Sequence, residues 1–99
     1  MAPLRTDPPK TPAEYLTRHW GARIREVRRA QERSQVWVAH AVGVDQRTIS
    51  RIERGDMTIT PRMMIRLAAA LDIEPAVLFT FPPGLLDAQR MKRKRKASV

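Results

Sequence analysis

The sequence has no cysteine and few aromatic residues, with two Trp, one Tyr and two Phe among 99 residues. The absence of cysteine excludes both a disulfide framework and a thiolate metal site. No apolar run approaches the ~20 residues that span a bilayer, so we expect no membrane-spanning helix. The first ten residues, MAPLRTDPPK, lack the apolar centre of a signal peptide. We therefore expect a cytoplasmic protein.

Negative charge is also scarce, because 10 Asp and Glu stand against 19 Lys and Arg. Six of these cations form a C-terminal run made of Arg90, Lys92, Arg93, Lys94, Arg95 and Lys96, which leaves 13 cations against 10 anions elsewhere. Such a surplus predicts a polyanionic partner, of which nucleic acid is the commonest. Charge alone does not distinguish DNA from RNA or from an acidic membrane surface.

Residue patterns typical of catalysis are missing as well. His19 and His40 have no companion ligands at metal spacing. Neither a Ser/His/Asp arrangement nor a carboxylate pair is indicated, so we expect no enzymatic activity, no metal and no cofactor.

The chain divides into three parts. Residues 1–10 hold three of the eight prolines and are predicted to be a disordered arm. Residues 11–81 carry helical periodicity and form one predicted all-α domain, and residues 82–99 form a basic tail. Part of that tail, residues 85–96, is a candidate for a last helix.

Helix starts are marked by capping residues, which are Thr11, Ser34, Asp45 and Thr60 for the first four helices. Glu74-Pro75 predicts a short fifth helix. Gly21 weakens the first helix, which we expect to bend or start late there. Gly43 and Gly55 are expected to end the second and third helices in left-handed conformation.

The second and third helices carry the functional signal. They are short, and Gly43 joins them by a tight turn beside the small inner residue Ala39. This arrangement allows the third helix to enter a major groove of DNA while the second lies across the backbone. The outward positions of the third helix hold hydrogen-bonding side chains. Four of them include no acid, namely Gln46, Arg47, Ser50 and Arg51. Asp45 is expected to cap the helix.

The segment SQVWVAHAVGVDQRTISRIERG resembles the signature of the Cro/repressor-like (XRE-type) helix-turn-helix family. The resemblance covers roughly residues 21–79 and implies a five-helix, lambda-repressor-like DNA-binding domain, with the helix-turn-helix at residues 34–55. The chain departs from the family pattern at Glu32-Arg33, where a glycine and an apolar residue are usual, so we expect the first helix to run straight to Ser34. It departs again at Val36 and Trp37, where polar residues are usual.

The resemblance implies roles for individual side chains. The base-reading residues are Gln46, Arg47, Ser50 and Arg51. The residues expected to contact the DNA backbone are Gln35, Thr48, Arg54, Thr58, Thr60 and Arg62. Arg28 and Glu53 are expected to form a structural ion pair. The basic tail is expected to wrap phosphates without sequence preference, although a solvated helix end and an interaction motif are alternatives.

The resemblance also implies a homodimer on half-sites about one helical turn apart. Its candidate interface is formed by Val77, Phe79, Phe81, Leu85 and Leu86. Three roles are open for Trp37. It packs at the core edge against the first helix, forms a dimer contact, or contacts a protein partner.

The sequence therefore predicts a transcriptional regulator that binds double-stranded DNA sequence-specifically, with repression by operator occupancy favoured. A phage-type repressor, a restriction-modification controller and an antitoxin all suit such a chain. The alternatives are an antitoxin or another protein-interaction module that also binds DNA, and a non-specific nucleic-acid binder driven by the tail.

Overall fold

The helices begin where the side chains of Thr11, Ser34, Asp45 and Thr60 accept a hydrogen bond from the amide three residues later, at 2.8–3.2 Å. The computed structural model describes residues 7–87, in which the helices are α1 (Pro12–Ala30), α2 (Gln35–Val42), α3 (Gln46–Arg54), α4 (Pro61–Ala70) and α5 (Pro75–Leu78). All four predicted caps and the five-helix order are confirmed. Within the part described there is no strand.

The ends of α2 and α3 also follow the prediction, because Gly43 (φ 87°) and Gly55 (φ 74°) are left-handed. The end of α1 does not. The helix stops at Ala30, four residues before Ser34, and Glu32 adopts φ 57°. Glu32 thus takes the left-handed conformation that a glycine would adopt at lower cost, and the prediction that α1 reaches Ser34 is wrong.

Gly21 neither interrupts α1 nor delays its start. It is buried where α1 crosses α3, and a Cβ built there would overlap the carbonyl oxygen of Ile52 and lie 3.2 Å from that of Glu53. The expectation that α1 starts late at Gly21 is therefore wrong. The missing side chain is what allows the backbones of α1 and α3 to approach.

The core gathers side chains from all five helices and from the α3–α4 loop. Its buried apolar members are Ile24, Val38, Ala39, Val42, Ile49, Ile52, Ile59, Met64, Leu67, Ala68, Leu71 and Leu78. α3 contacts both α1 and α2, so its inner face is enclosed and its outer face is left to solvent.

The third turn of α1 holds the segment that follows α5. Trp20 Nε1 donates to the carbonyl of Thr80 at 2.9 Å, and His19 Nε2 lies 2.8 Å from the Thr80 hydroxyl. The ring of Phe79 meets that of Trp20 edge-on, with centroids 5.5 Å apart. Arg18 packs on Gly55 and pairs with Asp7, so the described end of the predicted arm lies against α1.

Three predictions concern regions that the structure describes only in part. The arm at residues 1–6, the cationic run 90–96 and most of the predicted last helix lie outside the described residues. Among the helices described, none has the length and apolar character to cross a membrane. Residues 7–87 also hold no group of three or more His, Asp or Glu placed to bind a metal ion.

Candidate nucleic-acid interface

The turn between α2 and α3 is fixed from two sides. Val44 is half-buried and packs against the core directly after Gly43. From α4, Arg66 Nη2 donates to the carbonyl of Val42 at 2.6 Å, which satisfies a C-terminal carbonyl of α2. Sequence patterns gave no signal for Arg66, because this contact joins residues 24 positions apart.

The expected partners Arg28 and Glu53 meet in the interior, between α1 and α3. Two parallel hydrogen bonds join them, Nε to Oε2 at 2.7 Å and Nη2 to Oε1 at 3.0 Å. The side chains are 8% and 2% exposed, respectively. Arg28 Nη1 also donates to the carbonyl of Arg33 at 2.7 Å, so the pair fixes the α1–α2 loop as well.

Gln35 extends this network to the first residue of α3. Its Nε2 donates to Glu53 Oε1 at 3.1 Å, and its Oε1 accepts from Gln46 Nε2 at 2.6 Å. An ionised carboxylate only accepts hydrogen bonds, so Glu53 requires the amino group of the Gln35 amide to face it. The carbonyl of Gln35 then faces Gln46, which must present its own amino group in return.

The four predicted base-reading residues lie together on the solvent side of α3. Gln46, Arg47 and Arg51 are exposed and Ser50 is half-exposed, whereas the opposite side of the helix is buried in the core. Arg47 and Arg51 are one turn apart, so their guanidinium groups project from the same side of the helix.

Thr48 forms part of the N-terminal cap of α3. Both its amide, at 2.8 Å, and its hydroxyl, at 2.6 Å, donate to Asp45 Oδ1. These two hydrogen bonds, the one from the side chain foremost, hold the pKa of Asp45 below its usual value. The hydroxyl proton of Thr48 therefore points to Asp45, and only its oxygen lone pairs face elsewhere.

The remaining backbone candidates lie at the C-terminal end of α3 and beyond it. Arg54 is half-buried, with Nε 3.4 Å from Asp56 Oδ2. Thr60 caps α4, while Thr58 and Arg62 are exposed on either side of it. The structure thus leaves Thr58 and Arg62 accessible and gives Arg54 and Thr60 intramolecular partners.

The predicted dimer residues separate into two groups. Val77 and Phe79 are half-buried; the carbonyl of Val77 accepts from Arg23 Nε at 3.1 Å, and Phe79 packs against the core. Phe81 is 62% and Leu86 48% exposed, and Leu85 is half-buried. The outward apolar surface is therefore carried by Phe81 and Leu86.

Trp37 lies on the outer side of α2 and is 38% exposed. The guanidinium carbon of Arg33 lies 4.1 Å from its ring centroid. The partner that the structure gives Trp37 is thus a loop arginine, a contact that none of the three sequence alternatives named.

Comparison with known proteins identifies relatives of this arrangement. A family model described as Helix-turn-helix (HTH_3) matches residues 24–78, more than half of the chain. The solved structure of the restriction-modification controller protein C.AhdI from Aeromonas hydrophila is 38% identical, with a TM-score of 0.61 over 66% of this chain and 97% of that one.

Two further structures share the fold at lower identity. The clp gene regulator ClgR from Corynebacterium glutamicum is 24% identical (TM-score 0.63, 64% of this chain and 82% of that one). The restriction-modification controller protein C.Esp1396I, solved as a tetramer in complex with its natural 35 base-pair operator, is 23% identical (TM-score 0.62, 66% and 86%). No curated protein matches the chain.

Proposed function

The chain belongs to the helix-turn-helix family HTH_3, and from that premise we propose that it is a transcriptional regulator that binds double-stranded DNA sequence-specifically. α3 is the recognition helix, and its outer side enters the major groove. Such a regulator acts by occupying an operator, in the cytoplasm on the nucleoid, and needs neither a catalytic group nor a cofactor.

The observation that carries this proposal is the oriented amide of Gln46. Gln46 Nε2 donates one of its two hydrogens to Gln35, and this bond does not use the second hydrogen. Gln46 Oε1 is directed away from that bond. One donor and one acceptor then match N7 and the N6 amino group of adenine. Arg47 and Arg51 suit guanine, whose O6 and N7 accept two parallel bonds, and Ser50 completes the base-reading set.

Contacts to phosphates position the helix on the duplex. We assign these contacts to the exposed residues Thr58 and Arg62 and to Gln35. Arg54, Thr48 and Thr60 are further candidates. Each of these three has an intramolecular partner that it must exchange or share when it binds a phosphate.

Among the contexts that suit such a chain, we propose a restriction-modification controller. The support is C.AhdI, which is 38% identical and of which this chain covers 97%.

The solved complex of C.Esp1396I is a tetramer on its operator, which supports self-association here also. We propose a homodimer through Phe81, Leu85 and Leu86, with sedimentation across micromolar concentrations as its measurement. A mass that stays monomeric, alone and on DNA, contradicts it.

In vitro selection of bound duplexes tests the function and yields the half-site, its symmetry and its spacing. Against the selected operator, replacing both Arg47 and Arg51 by Ala should remove discrimination from random DNA, at about 1–3 kcal/mol per bidentate contact. Arg29→Ala is the matched control, because Arg29 is an exposed arginine of α1 remote from the inner side that contacts α3. Equal binding of operator and random DNA by the wild-type chain contradicts the proposal.

A further inference from the structure

A guanidinium group stacks on an indole at the start of α2. The Cζ atom of Arg33 lies 4.1 Å from the ring centroid of Trp37, within the range of an attractive cation–π contact. Both side chains are exposed, so the pair lies on the surface and contributes little to the core. Neither residue has a role in the interface described above.

Arg33 is connected to the recognition helix through its backbone. Its carbonyl accepts from Arg28 Nη1 at 2.7 Å, and Arg28 is paired with Glu53 of α3. Gln35, two residues further on, bonds both Glu53 and Gln46. The same network that orients Gln46 therefore fixes the point from which the Arg33 side chain leaves the backbone.

The stack leaves the hydrogen-bonding capacity of Arg33 unused. The indole offers a π face and one N–H donor but no acceptor atom, so the five N–H donors of Arg33 form no ordinary hydrogen bond with Trp37. Arg18, Arg23 and Arg54 each have a carboxylate within 3.4 Å. Within residues 7–87, Arg33 has an aromatic partner and no carboxylate partner. The contact with Trp37 restricts the side chain of Arg33 before any anion arrives, which lowers the entropy lost when one binds.

We propose that Arg33, held on Trp37, binds a phosphodiester of the DNA backbone next to the bases that Gln46 contacts. A planar guanidinium and a phosphate form two parallel hydrogen bonds, and this contact carries no sequence information. The inference rests on the proposed function, since it places one further phosphate contact on the same DNA-binding face. Trp37 is a positioning residue, which acts through the arginine.

The test compares Arg33→Met in the full chain with the wild type, on the selected operator and on a random duplex of equal length. Met keeps an unbranched apolar stem that packs on Trp37 and removes the charge. Affinity for both duplexes should fall by the same factor, about tenfold, because a charge-assisted bond to phosphate is lost equally from each. The slope of log K against log salt should become shallower by about 0.9.

Arg29→Met is the matched control, since it removes an equal charge four residues earlier on the solvent side of α1, where there is no aromatic partner. It should leave the salt slope unchanged. Trp37→Ala should weaken binding of both duplexes about threefold through the lost stack, and should have no further effect once Arg33 is Met. Thermal unfolding of each variant separates binding from folding, and both positions are exposed enough for the fold to persist.

The outcomes separate this inference from the function it rests on. If the wild-type chain prefers its operator but Arg33→Met and Arg29→Met behave alike, the phosphate contact is overturned and the regulator stands. If Arg33→Met weakens binding of the operator alone with the slope unchanged, Arg33 contacts a base and the inference is again overturned. If the wild-type chain shows no preference for any duplex, the proposed function itself fails.

Discussion

At the scale of single residues, Gly21 determines how closely α1 approaches α3. Helix propensity alone predicts that Gly21→Ala stabilises the protein by about 1 kcal/mol. The added methyl group would instead overlap the Ile52 carbonyl, so we expect a loss of about 3 kcal/mol in the free energy of unfolding. Urea denaturation measures it. Ala22→Gly, next to it on the exposed side of α1, should lose about 1 kcal/mol, and a stabilised Gly21→Ala variant contradicts the packing.

Asp45 gives the fold a pH dependence whose sign follows from its cap. Hydrogen bonds from Thr48 hold the pKa of Asp45 below its ordinary value of 3.8. A carboxyl group whose pKa is lower in the folded than in the unfolded state stabilises the fold above its ordinary pKa. This contribution is lost as the pH falls through the folded value.

The variant Asp45→Asn isolates that contribution, because Asn can cap α3 without titrating. Between about pH 5 and about pH 2, the melting temperature of the wild type should fall more than that of Asp45→Asn. Circular dichroism at the two pH values measures the difference. Parallel decreases in the two proteins would show that the cap is not coupled to protonation.

At the scale of helices, the Arg28–Glu53 pair joins α1 to α3 in the interior. Glu53→Ala leaves a buried guanidinium without its anion and should cost about 3–5 kcal/mol of unfolding free energy. The exposed pair Arg23–Glu26 is the control, and Glu26→Ala should cost at most about 1 kcal/mol. Chemical denaturation compares the two, and equal losses would contradict the structural role of the buried pair.

On the role proposed for Gln46, the same pair affects DNA recognition through Gln35. Removing Glu53 frees the Gln35 amide to turn over, and the Gln46 amino group then loses the fixed acceptor, Gln35 Oε1, that orients it. The helix start sites and the pairing of Arg28 with Glu53 were foreseeable from the sequence, because caps are local and the resemblance supplied the pair. The position of Gln35 between Glu53 and Gln46 was not, since it depends on the angle between α2 and α3.

Two other differences between expectation and structure have the same origin. The sequence indicated where helices start but misplaced the end of α1, because Glu32 has no side-chain signature for a left-handed conformation. The bonds from His19 and Trp20 to Thr80 join positions about 60 residues apart and leave no periodic trace. Local chemistry is visible in a sequence, whereas contacts created by packing are visible only in the fold.

At the scale of the whole molecule, positive charge is divided between a mildly basic body and the run 90–96, which lies outside the described residues. Deleting residues 90–96 should weaken binding of all duplexes and flatten the salt slope by up to about 5, while the preference for the operator is kept. Filter binding over a salt series measures both. A tail with the same residues in scrambled order should behave as the wild type, and loss of operator preference on deletion would assign specificity to the tail.

The hydrogen bond between Gln35 and Gln46 exists before DNA is present. On the role proposed for Gln46, no side chain at the first position of α3 has to rearrange when the protein meets a duplex. Correct and incorrect sites are then captured at similar rates, and the two are distinguished afterwards by how long the protein stays. On that role for Gln46, selectivity is determined by residence time, so a single-molecule record should show equal arrivals and unequal departures.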